Sequence, residues 1–129
     1  MYRIETIFEI SSAHKLELDY PSPCSNFHGH NWKIHIYCVA SILDHNGMVI
    51  DFAKIKKAIK SKLDHQTLNN ILDRNPTAEN IARFIGNYIN YDLHLFNVER
   101  DSYCERVDVE ETSGNTASWF FDKQNNETI

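Results

Sequence analysis

The chain has 129 residues, a formal net charge of −5 at pH 7 and 24% charged residues, which is the composition of a globular domain of ordinary size. Its acidic balance argues against general binding to nucleic acid or to anionic membranes, because both partners demand a basic face. The start shows no signal peptide, no stretch approaches the roughly 18 apolar residues of a membrane span, and the three sparse cysteines fit free thiols in a reducing compartment. We therefore predict a cytoplasmic protein that forms one domain over residues 1–129.

Two segments near the N-terminus predict strands. Residues 2–12 and residues 30–41 alternate between apolar and polar side chains, and a period of two is typical of a strand with one buried face. Residues 19–23 contain two prolines, which do not fit the interior of a paired strand and therefore predict a loop. Residues 43–47 are turn-forming and end the second strand.

Two helices and two further strands follow. From Phe52 the apolar period becomes helical, and a second helix begins after Thr77, whose hydroxyl can cap the first free amides. The apolar stripe of the second helix is typical of core packing and comprises Ile81, Phe84, Ile85, Tyr88 and Ile89. Residues 102–111 and 117–121 predict the last strands, and the tail at 123–129 is expected to fray. The order β-β-α-α-β-β predicts an α+β domain, an antiparallel sheet with both helices on one face.

A pair of histidines, His28 and His30, gives the sharpest local signal. Side chains at i and i+2 of a strand point to the same face, so both imidazoles can meet one ion. His14 ends the first strand and lies beside them if the first two strands form a hairpin. Three neutral imidazoles with an open fourth position suit a catalytic Zn²⁺ ion. The spacing alone leaves a chance occurrence on a strand face equally open.

A cysteine, Cys24, lies in the loop that enters this segment. A thiol beside a divalent ion or an imidazolium can act as a base or a nucleophile. Two alternatives stay open: an incidental loop cysteine, and a closed structural site in which Cys24 is the fourth ligand. Cys38 and Cys104 lie within strands and are interpreted as packing residues.

Asp64 and His65 follow the first predicted helix. In a turn, an aspartate can orient or polarise a neighbouring histidine in a proton relay. The alternative is an ordinary helix end at which the histidine meets the last carbonyls.

A carboxylate, Glu111, continues the inward phase of Tyr103, Val107 and Val109 at the end of the third strand, whereas Cys104 is expected on the opposite face. A buried carboxylate is costly unless it is paired. This one can accept two N–H bonds from a guanidine-like edge, such as the 2-amino and N3 positions of a pterin. The alternative is an ordinary surface acid at a strand end.

These motifs occur in a defined order over residues 3–121. They read Ser-Ala-His14, Cys24-x-x-x-His28-Gly-His30-Asn-Trp, Gly47-Met-Val-Ile-Asp51-Phe52, Leu63-Asp64-His65-x-x-Leu-Asn69, Asn75-Pro76-Thr77-Ala-Glu79-Asn80 and Val107-x-Val-x-Glu111-Thr112. In this order and spacing the chain resembles the 6-pyruvoyl-tetrahydropterin synthase / 6-carboxy-tetrahydropterin synthase family.

The resemblance implies the tunnelling fold, whose members assemble as trimers through their sheets into a barrel and usually stack into hexamers, with active sites at subunit interfaces. It implies Zn²⁺ as the cofactor, with the ligands His14, His28 and His30. It implies catalytic roles for Cys24, Asp64 and His65. It implies substrate-binding roles for Glu111, Thr77 and Glu79.

The gap between Cys24 and His28 bears on the reaction. Three intervening residues resemble the queuosine-pathway members, because biopterin-pathway members usually have a longer gap. The resemblance therefore implies conversion of 7,8-dihydroneopterin triphosphate to 6-carboxy-5,6,7,8-tetrahydropterin, with loss of acetaldehyde and triphosphate. The alternative inside the family is 6-pyruvoyl-tetrahydropterin synthesis, which keeps every side-chain carbon. Alternatives outside it are a zinc hydrolase and a non-catalytic pterin-binding module.

Overall fold

The computed structural model describes residues 1–112 and 114–122, so the tail at 123–129, for which fraying was expected, lies outside the described residues. The strands are β1 (Tyr2–His14), β2 (His28–Ala40), β3 (Tyr103–Glu111) and β4 (Asn115–Phe120). They form one sheet in the order β1-β2-β3-β4, and every neighbouring pair is antiparallel. The predicted sheet is therefore confirmed.

Two helices connect the strand pairs. They are α1 (Phe52–Leu63) and α2 (Ala78–Asn87). The Asp51 carboxylate caps α1 by accepting from the Ala53 N–H (2.9 Å), and the Thr77 hydroxyl caps α2 by accepting from the Asn80 N–H (3.2 Å). The cap at Thr77 agrees with the sequence prediction. A short π-helical turn, Tyr88–Asp92, continues α2. In the described ranges, no helix has both the length and the apolarity to cross a membrane.

The core lies between one face of the sheet and the two helices. Because strand side chains alternate, the even-numbered residues of β2 share one face, and Trp32, Ile34 and Ile36 on that face are fully buried. They belong to one apolar cluster with residues of both helices, including Ile59 of α1 and Ile85 of α2. Burial of each such side chain contributes about 1.5–3 kcal/mol to the free energy of unfolding. Both helices therefore cover one face of the sheet, as predicted.

A β-bulge in β3 changes which residues face this core. Tyr37 pairs with Arg106, but the next residue of β2, Cys38, pairs with Cys104, so Glu105 is the extra residue on β3. The bulge buries Cys104 completely and leaves Tyr103 only half-buried. The predicted inward phase of Tyr103 was therefore wrong, because strict alternation does not continue through a bulge. The interpretation of Cys38 and Cys104 as packing residues is confirmed.

The chain between the two helices covers the end of β1 and the segment that follows it. The Ala13 N–H donates to the Gln66 carbonyl (3.0 Å). Further along, the side-chain amide of Asn69 accepts from the backbone N–H of Lys15 and donates to its carbonyl, both at 2.9 Å. Asn75 makes the same two bonds to the backbone of residue 17 (2.9 and 3.0 Å). These two asparagine side chains thus take the place of a paired strand and hold the loop after β1.

Close packing of α2 on β4 yields a stability prediction for Gly86. A Cβ atom at this position would overlap the six-membered ring of Trp119. We expect Gly86→Ala to lower the free energy of unfolding by about 1–3 kcal/mol, because overpacking outweighs the helix propensity gained from alanine. Urea denaturation measures the change. In a Trp119→Ala background the same substitution should be neutral or stabilising; equal losses in both backgrounds would contradict the overlap.

Candidate metal centre

The pairing of β1 with β2 brings three histidines together. His14 lies opposite His28, and Ser12 lies opposite His30. At this end the ladder runs two residues further along each strand than the sequence predicted, so all three histidines lie within strands. They keep the phase of the buried residues on their strands and therefore face the helix side of the sheet.

The three imidazoles are close enough to share one ion. One ring nitrogen from each of His14, His28 and His30 lies within 4.8 Å of the other two. The ring centroids of His14 and His28 are 4.6 Å apart, those of His14 and His30 are 5.1 Å apart, and those of His28 and His30 are 4.8 Å apart. Among the described residues, this is the only group of three or more histidine, cysteine or acidic side chains that can hold a metal ion.

Each imidazole uses its Nδ1 atom for a hydrogen bond. Nδ1 of His14 lies 2.7 Å from the Pro76 carbonyl oxygen, and Nδ1 of His28 lies 2.7 Å from the Asn26 carbonyl oxygen. A carbonyl only accepts, so both Nδ1 atoms carry the proton and both Nε2 atoms keep a lone pair. For His30, Nδ1 lies 3.3 Å from the Thr112 hydroxyl. Acceptors of this kind are the usual outer partners of metal-bound histidines.

A buried nitrogen without a partner tests whether a metal ion fits. His14 is 1% exposed, and its Nε2 atom is buried without a hydrogen-bond partner among the described residues. Burial lowers the pKa of His14, against the opposing effect of the Pro76 carbonyl, so the imidazole is neutral at pH 7. An unpaired buried acceptor costs about 1–3 kcal/mol. A cation held by the three imidazoles would remove that cost, and three histidine nitrogens are a ligand set that zinc accepts.

Cys24 lies outside the group of ligands. It is half-buried in a single turn of 3-10 helix, Pro23–Ser25, and its N–H donates to the Ser22 hydroxyl (3.1 Å). Its carbonyl accepts from the Leu16 N–H (2.8 Å), which ties the turn to the segment after β1. Because the metal-binding group consists of the three histidines without Cys24, the described residues favour an open site over the closed four-ligand alternative.

The end of α1 fixes the predicted pair, Asp64 and His65, against β1. Asp64 Oδ1 accepts from the Ser11 N–H (2.8 Å), and the His65 N–H donates to the Ser11 carbonyl (2.7 Å). Asp64 Oδ2 lies 3.6 Å from Nε2 of His65, whose side chain is 82% exposed. His65 has φ 55°, so the chain turns sharply here and allows adjacent side chains to meet. The structure therefore gives the geometry of an Asp–His pair and not a histidine folded back on the helix carbonyls.

The three predicted substrate-binding residues line one open cavity. Glu111, Thr77 and Glu79 lie on its wall, together with Tyr20 from the loop after β1, and its volume is about 530 Å³. Burial lowers the pKa of His14 most strongly, and the negative charge of Glu111 opposes it with a smaller effect.

A second cavity has a volume of about 600 Å³. His30, His65 and Thr112 line it, whereas Glu111 does not. In one chain the structure therefore brings His65 to the cleft at His30 but not to the cavity at Glu111. Sequence reasoning missed Thr112 as a partner of His30, although it stands beside Glu111 in the last motif.

We predict that zinc binding depends on the face of β2 that a histidine occupies. His30→Gln removes one of three ligands, so we expect zinc affinity to fall by more than about 100-fold, beyond the range seen when an outer partner is lost. Competition with a chromophoric chelator measures it. His35→Gln is the matched control, since His35 lies on the same strand but on the opposite face, 3.4 Å from Glu5. Equal losses in both variants would contradict the assignment of ligands.

Comparison with known proteins agrees with this arrangement. The sequence profile of the 6-pyruvoyl tetrahydropterin synthase family matches residues 3–121. A Bacillus subtilis (strain 168) protein named 6-carboxy-5,6,7,8-tetrahydropterin synthase is 30% identical over 118 residues, which cover 86% of this chain and 80% of that protein. A Drosophila melanogaster protein named 6-pyruvoyl tetrahydrobiopterin synthase is 30% identical over 121 residues, which cover 86% of this chain and 68% of that protein.

A comparison of folds agrees with this match. The solved structure of Caenorhabditis elegans 6-pyruvoyl tetrahydropterin synthase matches with a TM-score of 0.70 and 23% sequence identity, over 94% of this chain and 96% of that one. The match shows that both chains share the tunnelling fold. Since the family profile extends from β1 through β4 and the folds agree, this chain belongs to the 6-pyruvoyl tetrahydropterin synthase family of pterin-processing enzymes.

Proposed function

We propose that this chain is a zinc-dependent carbon–carbon lyase of queuosine biosynthesis in the cytoplasm. With consumption of one water, it converts 7,8-dihydroneopterin triphosphate to 6-carboxy-5,6,7,8-tetrahydropterin, acetaldehyde and triphosphate. The observation that carries the proposal is the position of Glu111, which lines a cavity of about 530 Å³ together with Thr77 and Glu79. The name of the Bacillus subtilis relative and the three-residue gap after Cys24 support this product over others.

The cavity at Glu111 is proposed to hold the pterin. Its volume is within the range of small-molecule sites, about 300–1,000 Å³. The Glu111 carboxylate would accept the two N–H bonds of the pyrimidine edge. The Thr77 hydroxyl already accepts from the Asn80 N–H, so its own proton is available to donate to the ligand. Glu79, one residue into α2, would provide a second acceptor on the same wall.

The three histidines are proposed to hold the zinc ion. Each would bind it through Nε2, because each Nδ1 atom is engaged with an outer partner. When bound, zinc supplies Lewis acidity that lowers the pKa of the hydroxyl groups on the pterin side chain. His14, buried and neutral, stays available as a ligand below the pH at which an exposed histidine becomes protonated.

Proton transfer on the pterin side chain is assigned to Cys24 and to the pair formed by Asp64 and His65. The N–H and the carbonyl of Cys24 are both hydrogen-bonded, so its backbone is held in place four residues before His28. The Asp64 carboxylate lies 3.6 Å from Nε2 of His65 and would orient that imidazole. The two groups would then serve as complementary base and acid.

An oligomer is part of the proposal. His65 is exposed and lies on a different cavity from Glu111, so a bound substrate meets both kinds of group most readily if another copy contributes to the site. β1 and β4 are the two edge strands of the sheet. Pairing of these edges between copies would close the barrel of the tunnelling fold, as a trimer or a dimer of trimers.

The product of the reaction tests the proposal. We expect incubation with 7,8-dihydroneopterin triphosphate to yield one acetaldehyde and one triphosphate per turnover, together with a product of the mass of 6-carboxytetrahydropterin. Mass spectrometry and an enzymatic acetaldehyde assay measure this. The second candidate, favoured by the equal identity to the Drosophila melanogaster relative, is 6-pyruvoyl tetrahydropterin formation, which releases triphosphate but no acetaldehyde. Absence of any pterin product would exclude both reactions.

Cys24→Ala separates a catalytic thiol from a metal ligand. We expect this variant to bind zinc and pterin like the wild type and to lose turnover by about 10²–10⁴-fold, the usual contribution of a general acid or base. Single-turnover kinetics and bound-zinc analysis measure both effects. Ser25→Ala, in the same 3-10 turn, is the matched control and should retain turnover. Loss of zinc from Cys24→Ala would instead support the closed structural site.

A further inference from the structure

We infer that Thr112 positions His30 for metal binding, through the hydrogen bond between its hydroxyl and Nδ1 of that imidazole (3.3 Å). The inference rests on the proposed metal site and adds a residue to it. Thr112 would not touch the metal ion or the substrate, so its role is to orient a ligand.

The three histidines differ in how firmly their protons are placed. His14 and His28 face backbone carbonyls at 2.7 Å, which fix the proton on Nδ1. The Thr112 hydroxyl at His30 can either accept from Nδ1 or donate to it. If the hydroxyl accepts, Nε2 of His30 has a free lone pair; if it donates, the proton of the neutral imidazole lies on Nε2, which then cannot bind a metal ion. Of the three ligands, His30 therefore depends most on the side chain behind it.

The hairpin between β3 and β4 holds Thr112 in place. The Gly114 N–H donates to the Glu111 carbonyl (3.0 Å), and this bond closes the turn on the C-terminal side of Thr112. Glu111 also pairs with Asn115 across the hairpin. Thr112 thus directly follows a residue that is paired across the hairpin, and its hydroxyl reaches a residue 82 positions away in the sequence.

A bound metal ion favours one of the two orientations of the Thr112 hydroxyl. A bound divalent cation requires the lone pair on Nε2 of His30, so it favours the state in which the hydroxyl accepts from Nδ1. Without the hydroxyl, the imidazole can rotate and exchange tautomers with water as its partner, since His30 is only half-buried. In such a variant, zinc binding has to fix the orientation of the His30 imidazole, which the Thr112 hydroxyl restrains in the wild type.

Zinc competition on three variants tests the role of Thr112. We expect Thr112→Val to bind zinc about 10-fold more weakly, at the lower end of the range for loss of an outer partner. Thr112→Ser retains a hydroxyl and should restore affinity to within about twofold of the wild type. Thr116→Val, on the same hairpin but pairing with Glu110, is the matched control and should bind zinc like the wild type. The visible absorption of the Co²⁺-loaded protein should change in Thr112→Val alone.

Each outcome of this experiment has a definite meaning. Equal zinc affinity in wild type and Thr112→Val would overturn the positioning role, and so would a loss that Thr112→Ser does not restore. Thermal unfolding of the metal-free variants excludes general destabilisation as the cause of a change. A wild-type chain that binds no zinc or cobalt would refute the metal site itself, so the two failures are distinguishable.

Discussion

The antiparallel pairing of β1 with β2 is the constraint on which the metal centre depends. His14 is a neighbour of His28 only in the observed register, and a shift by one residue would turn one set of side chains to the opposite face. Trp32 locks this register. It is fully buried, its indole N–H donates to the Ser12 carbonyl (3.2 Å), and its ring lies 4.9 Å from that of His14. The Trp32 side chain therefore packs in the core and also contacts the imidazole of His14.

Much of this site follows from the periodicity of the sequence. In a strand, every second side chain lies on the same face, so the sequence indicates which side chains are neighbours. It placed His28 and His30 together, and the hairpin supplied His14. It could not show what lies behind the rings. The partner of His14 is the backbone carbonyl of Pro76, 62 residues away. Every residue has a backbone carbonyl, so the sequence does not indicate which one accepts this bond. The resemblance to a family, rather than spacing, turned equal alternatives into a specific hypothesis.

Alternation failed where the backbone is irregular. The bulge at Glu105 exchanges the faces of Tyr103 and Cys104, although no glycine or proline marks it in the sequence. The meeting of Asp64 with His65 was likewise open, since adjacent residues diverge in regular structure and meet only because the chain turns there. In both places the deciding quantity is a backbone dihedral angle or a register, which depends on contacts made by distant parts of the chain.

The segment between α1 and α2 bonds to β1 and to the loop that follows it. It covers the end of β1 through a backbone bond at residue 66, and it holds the loop after β1 through the amides of Asn69 and Asn75. An uncovered strand end offers free N–H and C=O groups to another chain. Here the chain's own segment bonds to Ser11 and Ala13, at the end of β1 next to the histidines.

The backbone angle of His65 affects which substitutions at this position would stabilise the fold. A side chain other than glycine at φ 55° costs about 1–2 kcal/mol, and asparagine tolerates the same angle better. Glycine or asparagine at this position would therefore raise the free energy of unfolding. A search for thermostable variants by stability alone would select against the imidazole, so any such library has to be screened for activity at this residue as well.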